Sequence, residues 1–192
     1  HDFDHTLRVM HNSLLLQTLE QQGDADVIRA AALLNDIARP EEMQADGRLC
    51  HAQLGAAMAE TLLRELGGIS DETIVRISNA VRRHRYRSDA APQTIEDKII
   101  YDADKLDSIG CVGIGRAFHF AGRIGARLHN SAPEAVNSPA YSCEDTAYRE
   151  YLVKLRQIPE RMLTASGRKL AEERAEFMHQ FFERLNREIF GE

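Results

Sequence analysis

The chain has 192 residues, enough for one well-packed domain and too few for two ordinary ones. With 43% hydrophobic and 28% charged residues it is neither a disordered segment nor a membrane-spanning one, because no apolar run approaches the roughly 20 residues a bilayer crossing requires. A formal net charge of -6 argues against nucleic acid as the main partner.

Helical periodicity runs through the chain. From Phe3 to Gln22, Leu7, Met10, Leu14, Leu15 and Leu19 recur at three- and four-residue steps and predict an amphipathic helix ended by Gly23. Asp24 or Asp26 caps a second helix that turns Val27, Ile28, Ala31, Leu34 and Ile37 inward and stops at Pro40. The polar stretch Glu41 to Leu49, with Gly47, reads as a loop. A third helix is expected from His51 to Leu66 before Gly67-Gly68, and a fourth, capped by Ser70, carries Ile74, Ile77 and Val81. The basic cluster Arg82-Arg83-His84-Arg85-Tyr86-Arg87 follows, sized for a few phosphates and not for a duplex. Thr94 opens a fifth helix through Ile99, Ile100 and Leu106, and Gly110, Gly113 and Gly115 suit close packing in the next.

Asn130 to Ser142 reads as a surface loop. A long final helix from Ser166 to Phe190 turns Leu170, Phe177, Phe181, Leu185 and Ile189 inward. No strand-like alternation and no internal repeat stand out. The expectation is an all-α domain over 1–192, a bundle of about seven helices, with a metal-site core over 1–129 on which C-terminal helices over 142–192 pack. Three widely spaced cysteines, Cys50, Cys111 and Cys143, fit small apolar side chains in a reducing cytoplasm, and no secretory signal opens the sequence.

Three features carry chemistry. Asp102-Ala103-Asp104-Lys105-Leu106-Asp107 puts carboxylates inside an otherwise apolar helix; the bland explanation is that Asp102 and Asp107 are solvated and Asp104 pairs with an arginine. Asp36 ends a nearly all-apolar helix, and His5 lies on the opening one. Buried carboxylates are costly unless paired or bound to a cation. Two such acids with a histidine make a hard, mixed nitrogen and oxygen ligand set.

The sequence resembles the HD-domain phosphohydrolases, and within them a bacterial branch with the pattern HDxxHxxRV, LLHDI and DADRLDxxG. Here these read His1-Asp2 through Arg8-Val9, Leu33-Leu34-Asn35-Asp36-Ile37 and Asp102 to Gly110. His51-Ala52, His84, Gly113 to Phe118 and Leu163 to Arg168 extend the similarity over nearly the whole chain. Members of the family carry another helix before the first motif. The resemblance implies an HD-domain helical bundle in which His5, Asp36 and Asp104 hold a divalent ion (Mn, Mg, Co or Fe), which binds phosphate oxygens and activates water.

One departure stands out: Asn35 occupies the position of the HD histidine. An amide oxygen is a weaker ligand than imidazole, though it suits hard ions. Asn35 is either a natural variant with altered metal binding or an introduced His-to-Asn change.

In two-metal branches, extra histidines bind a second ion; in one-metal branches they line the pocket. His51 and His84 are read here as pocket-lining catalytic residues, a solvent-exposed helix start being the bland alternative for His51. Lys105 joins them. Arg39, Arg83 and Arg85 are read as holding substrate phosphate, and Arg116 as a partner for one of the acids. His1, His11, His119, His129 and His179 fall to surface or packing roles.

The leading expectation is a cytoplasmic hydrolase of a small phosphorylated molecule, a nucleotide first of all. The alternatives are a degenerate nucleotide- or phosphate-binding module, favoured by Asn35, and a di-iron oxygenase, which Asn35 counts against.

Overall fold

In the computed structural model, residues 3–45, 48–85 and 90–191 are described; the expectations placed on His1, Asp2, Gly47, Tyr86 and Arg87 lie outside them. Among the described residues the fold is all-α, with helices α1 (Phe3–Glu20), α2 (Ala25–Leu34), α3 (Arg39–Gln44), α4 (His51–Leu66), α5 (Asp71–Arg83), α6 (Ile95–Leu106), α7 (Gly110–Arg123), α8 (Ala132–Asn137), α9 (Ala147–Val153) and α10 (Ala165–Phe190). Two short 3-10 turns, Leu155–Gln157 and Pro159–Arg161, follow α9. Among the described residues no helix is long and apolar enough to cross a membrane.

Local chemistry sets the boundaries. The Asp24 carboxylate accepts from the N–H groups of Asp26 and Val27 and caps α2, and the Ser70 hydroxyl accepts from Thr73 N–H and caps α5. The stretch expected to be a loop before His51 instead contains α3. Pro40 opens that helix, where a missing N–H costs nothing, and Glu41 and Glu42 in its first turn suit the positive end of the helix dipole. The stretch from Asn130 to Ser142 likewise contains α8, held by a capping box between Ser131 and Glu134.

The chain divides into two compact units. The first runs up to Asp104 and includes Leu163–Gly167; the second comprises Lys105–Met162 and Arg168 onward. In the first, α1 packs on α2, α2 on α5, and α4 on α5 and α3. Val9, Leu16, Val27, Ile28, Ala31, Ile74, Ile77, Val81, Ile99 and Ile100 fill its interior. On α1 the buried face is His5, Val9, Asn12, Ser13 and Leu16, not the expected leucine stripe, and Leu15 and Leu19 are exposed. Polar side chains occupy the inward positions there.

Asp102 is fully buried, which corrects its reading as a solvated acid. Its carboxylate accepts from the backbone N–H of Leu163 and Thr164 and from the Thr164 hydroxyl at 2.7–2.9 Å. It therefore satisfies donors just ahead of α10. A Cβ on Gly167 would come within 2.4 Å of that carboxylate, so the glycine is required by space.

In the second unit, Phe118, Tyr148, Tyr151, Phe181 and Phe182 form a ring cluster, with Tyr151 and Phe182 stacked at 4.5 Å. Ala171, Met178 and Phe182 are the buried positions of α10, whereas Phe177 and Ile189, expected inward, are exposed. Asp107 is also buried, not solvated, and is paired with Arg116 at 2.6 Å. Cys111 and Cys143 are exposed rather than packed as small apolar groups.

Candidate metal centre

Five side chains of the first unit meet, each from a helix end. His5 lies in the first turn of α1, Asp36 in the turn after α2, His51 at the start of α4, His84 just beyond α5, and Asp104 in the last turns of α6.

Asp36 is the hub, its side chain 8% exposed. One carboxylate oxygen, Oδ2, stands 3.5 Å from His5 Nε2, which also stands 3.4 Å from Asp104 Oδ1. The other oxygen, Oδ1, stands 3.4 Å from His51 Nε2 and 3.9 Å from His84 Nε2. The two Nε2 atoms are 3.2 Å apart. The ligand atoms of Asp36, His51 and His84 all lie within 4.8 Å of one another.

The hydrogen positions follow from the partners on the far side of each ring. His84 Nδ1 lies 2.6 Å from the Val81 carbonyl, which only accepts, so Nδ1 carries the hydrogen and a neutral ring has a lone pair at Nε2. His51 Nδ1 lies 2.9 Å from Glu42 Oε2. A carboxylate likewise only accepts, so a neutral His51 that donates to Glu42 leaves Nε2 bare. Burial pushes the His51 imidazole below its usual 6.5, against the pull of Glu42.

Lone pairs of two imidazoles and a carboxylate thus converge at 3.2–3.9 Å. Bonds of about 2.0–2.1 Å in tetrahedral geometry put ligand atoms about 3.3 Å apart. The observed spacings fit a divalent cation of the borderline-to-hard class. Asn35 is fully buried, and neither amide atom finds a hydrogen-bond partner among the described residues. Buried polar groups of this kind are rare without a ligand or water to satisfy them.

The other residues singled out in the sequence fall as follows. Arg39 and Arg85 both bind Glu42, Arg85 at 2.7 Å and Arg39 through its Nη1. Arg83 binds buried Asp97 at 2.8 Å, which also accepts from the N–H groups of Gln93 and Thr94 and so anchors the start of α6. Lys105 follows Asp104 in the chain and belongs to the second unit. His51 is buried, which removes the solvent-exposed reading. Glu42 was not visible as a site residue, because its segment reads as a polar loop. Its signal is Arg39-Pro40-Glu41-Glu42, a proline followed by acids, which is the composition of a helix start.

The fold is all-α, and its His and Asp side chains converge at helix ends in a cluster that could hold a metal ion. Residues 2–109 match the sequence profile of the HD domain, and the chain belongs to that family. It is 31% identical over 198 residues to the protein YpgQ of Bacillus subtilis, spanning 100% of this chain and 85% of that protein. The crystal structure of YpgQ in complex with ADP superposes with a TM-score of 0.74, covering 98% of this chain and 86% of that one. A predicted HD superfamily hydrolase from an uncultured Thermotogales bacterium gives 0.69 at 31% identity, covering 98% and 81%. An HD-superfamily hydrolase from Bacillus thuringiensis gives 0.76 at 26% identity, covering 100% and 88%.

Proposed function

We propose that this chain is a metal-dependent phosphohydrolase acting on a small phosphorylated molecule, a nucleotide above all. The observation that carries the reading is the set of ligand atoms around Asp36, in which the Nε2 atoms of His51 and His84 face each other at 3.2 Å while both Nδ1 atoms meet acceptors. His5, Asp36 and Asp104 would hold the cation, with the Asn35 amide oxygen in the place of a histidine. When bound, a divalent ion polarises a phosphoryl oxygen and makes hydroxide available near neutral pH.

The chain's own residues do the rest. His51 Nε2, held through Nδ1, would join Asp36 on the cation, while His84 Nε2, farther from Asp36 at 3.9 Å, is the group that takes the proton of an attacking water or returns one to the departing oxygen. Arg39 and Arg85 are the better candidates for substrate phosphate, because both reach Glu42, the carboxylate that also holds His51. Arg83, committed to Asp97, is a lesser candidate, and Lys105 adds a charge next to Asp104 in the chain. That YpgQ was crystallised with ADP supports a nucleotide in this role.

A panel of nucleoside mono-, di- and triphosphates with Mn2+, Mg2+ or Co2+ tests the reading. Metal-dependent release of phosphate or pyrophosphate is expected from at least one of them. Asn35 favours a second reading, a module that binds nucleotide without turning it over. In that case nucleotides raise the melting temperature with no metal requirement and no product forms.

A further inference from the structure

Resting on this reading of the metal centre, we propose that Glu42 is a positioning residue that selects the tautomer of His51. Its side chain is 8% exposed and receives three donors: Arg39 Nη1 and His51 Nδ1 on Oε2, and Arg85 Nη1 on Oε1. His51 Nδ1 has two neighbours of opposite character. Glu42 Oε2, at 2.9 Å, can only accept, and Arg39 Nη1, at 3.0 Å, can only donate.

A neutral imidazole has one ring hydrogen. If Nδ1 donates to Glu42, the hydrogen sits there and Nε2 offers its lone pair to the space shared with Asp36 and His84. If Nδ1 instead accepts from Arg39, the hydrogen moves to Nε2 and points into that space, where it blocks a cation. Glu42 therefore decides whether His51 is a ligand or a hydrogen-bond donor, and Arg39 is the group that takes over when Glu42 is gone. Outer carboxylates that orient ligand histidines in this way typically carry about 10–100-fold of metal affinity.

The test reads the ring nitrogens of the metal-free full-length chain at neutral pH by long-range proton–nitrogen correlation, with His51 assigned by its loss in His51→Gln. In the parent chain the hydrogen is expected on Nδ1 and a bare Nε2. Glu42→Leu is expected to move it to Nε2, and Glu42→Gln, whose amide oxygen can still accept, to keep it on Nδ1. Cobalt affinity, followed by visible absorption, is expected to fall about 10–100-fold in Glu42→Leu and by less in Glu42→Gln. A hydrogen on Nε2 in the parent chain, or an unchanged tautomer in folded Glu42→Leu, overturns the proposal. If Glu42→Leu does not fold, the parent ring and Glu42→Gln decide: Nδ1–H in both supports it, and Nε2–H in either overturns it. The tautomer is read without metal or substrate, so a chain that hydrolyses nothing would sink the phosphohydrolase reading and leave this one standing.

Discussion

The two units bury polar side chains in opposite ways. In the second, buried polar groups meet complementary partners: Asp107 with Arg116, Asp145 with Arg149, His129 with Asn186, and Asn130 with Thr146 and Glu144. In the first, Asp102 is satisfied in the same manner and Asp97 through one oxygen only, but around Asp36 acceptor meets acceptor, and neither atom of the buried Asn35 amide finds a partner among the described residues. Complete donor–acceptor matching marks a structural polar group. Acceptors gathered at hydrogen-bonding distance around one carboxylate are an arrangement that could hold a cation.

The largest expected effect comes from removing the hub. Asp36→Ala should lower cobalt or manganese affinity by at least about 100-fold and abolish metal-dependent hydrolysis while the chain stays folded. Titration and circular dichroism together check this. Its counterpart in the second unit is Phe182→Ala, which empties the centre of the ring cluster. It should cost about 3–5 kcal/mol in denaturant unfolding and leave cation affinity within twofold. A loss of cation affinity in Phe182→Ala would break the comparison. Asn35→His sharpens it further: an imidazole in place of the amide should tighten cobalt binding about tenfold or more, seen by the same titration.

The smallest effect is one of pH. The folded His51 pKa lies below the usual 6.5 because of burial, so between the two values the unfolded chain binds the extra proton. Stability of the metal-free chain should therefore decline as pH falls below about 6.5, level off below the folded value, and lose part of that slope in His51→Gln.

Much of this centre was legible in the sequence because its acids interrupt apolar helices. Asp36 and Asp104 stand out against Ala30–Leu34 and Ile99–Ile100, and the motif spacing links them to His5. What hydrophobic periodicity cannot see is a polar side chain on an inward face. On α1 the inward residues His5, Asn12 and Ser13 are polar, so the exposed Leu15 and Leu19 drew the predicted face toward themselves. Asp102 was misread for the same reason, since its partners lie about sixty residues away in the chain, at Leu163 and Thr164. Glu42 is hidden in the sequence because Pro40 reads as the end of a helix. A proline stops the helix before it and suits the first turn of the one after it, and only the acids that follow distinguish the two.

Manganese binding by equilibrium dialysis, on the parent chain and on Asp36→Ala, tests the central claim most directly. At least one ion per parent chain and none per folded Asp36→Ala chain is the expected result. Equal occupancy in the two, or no ion in the parent at millimolar manganese, would contradict it.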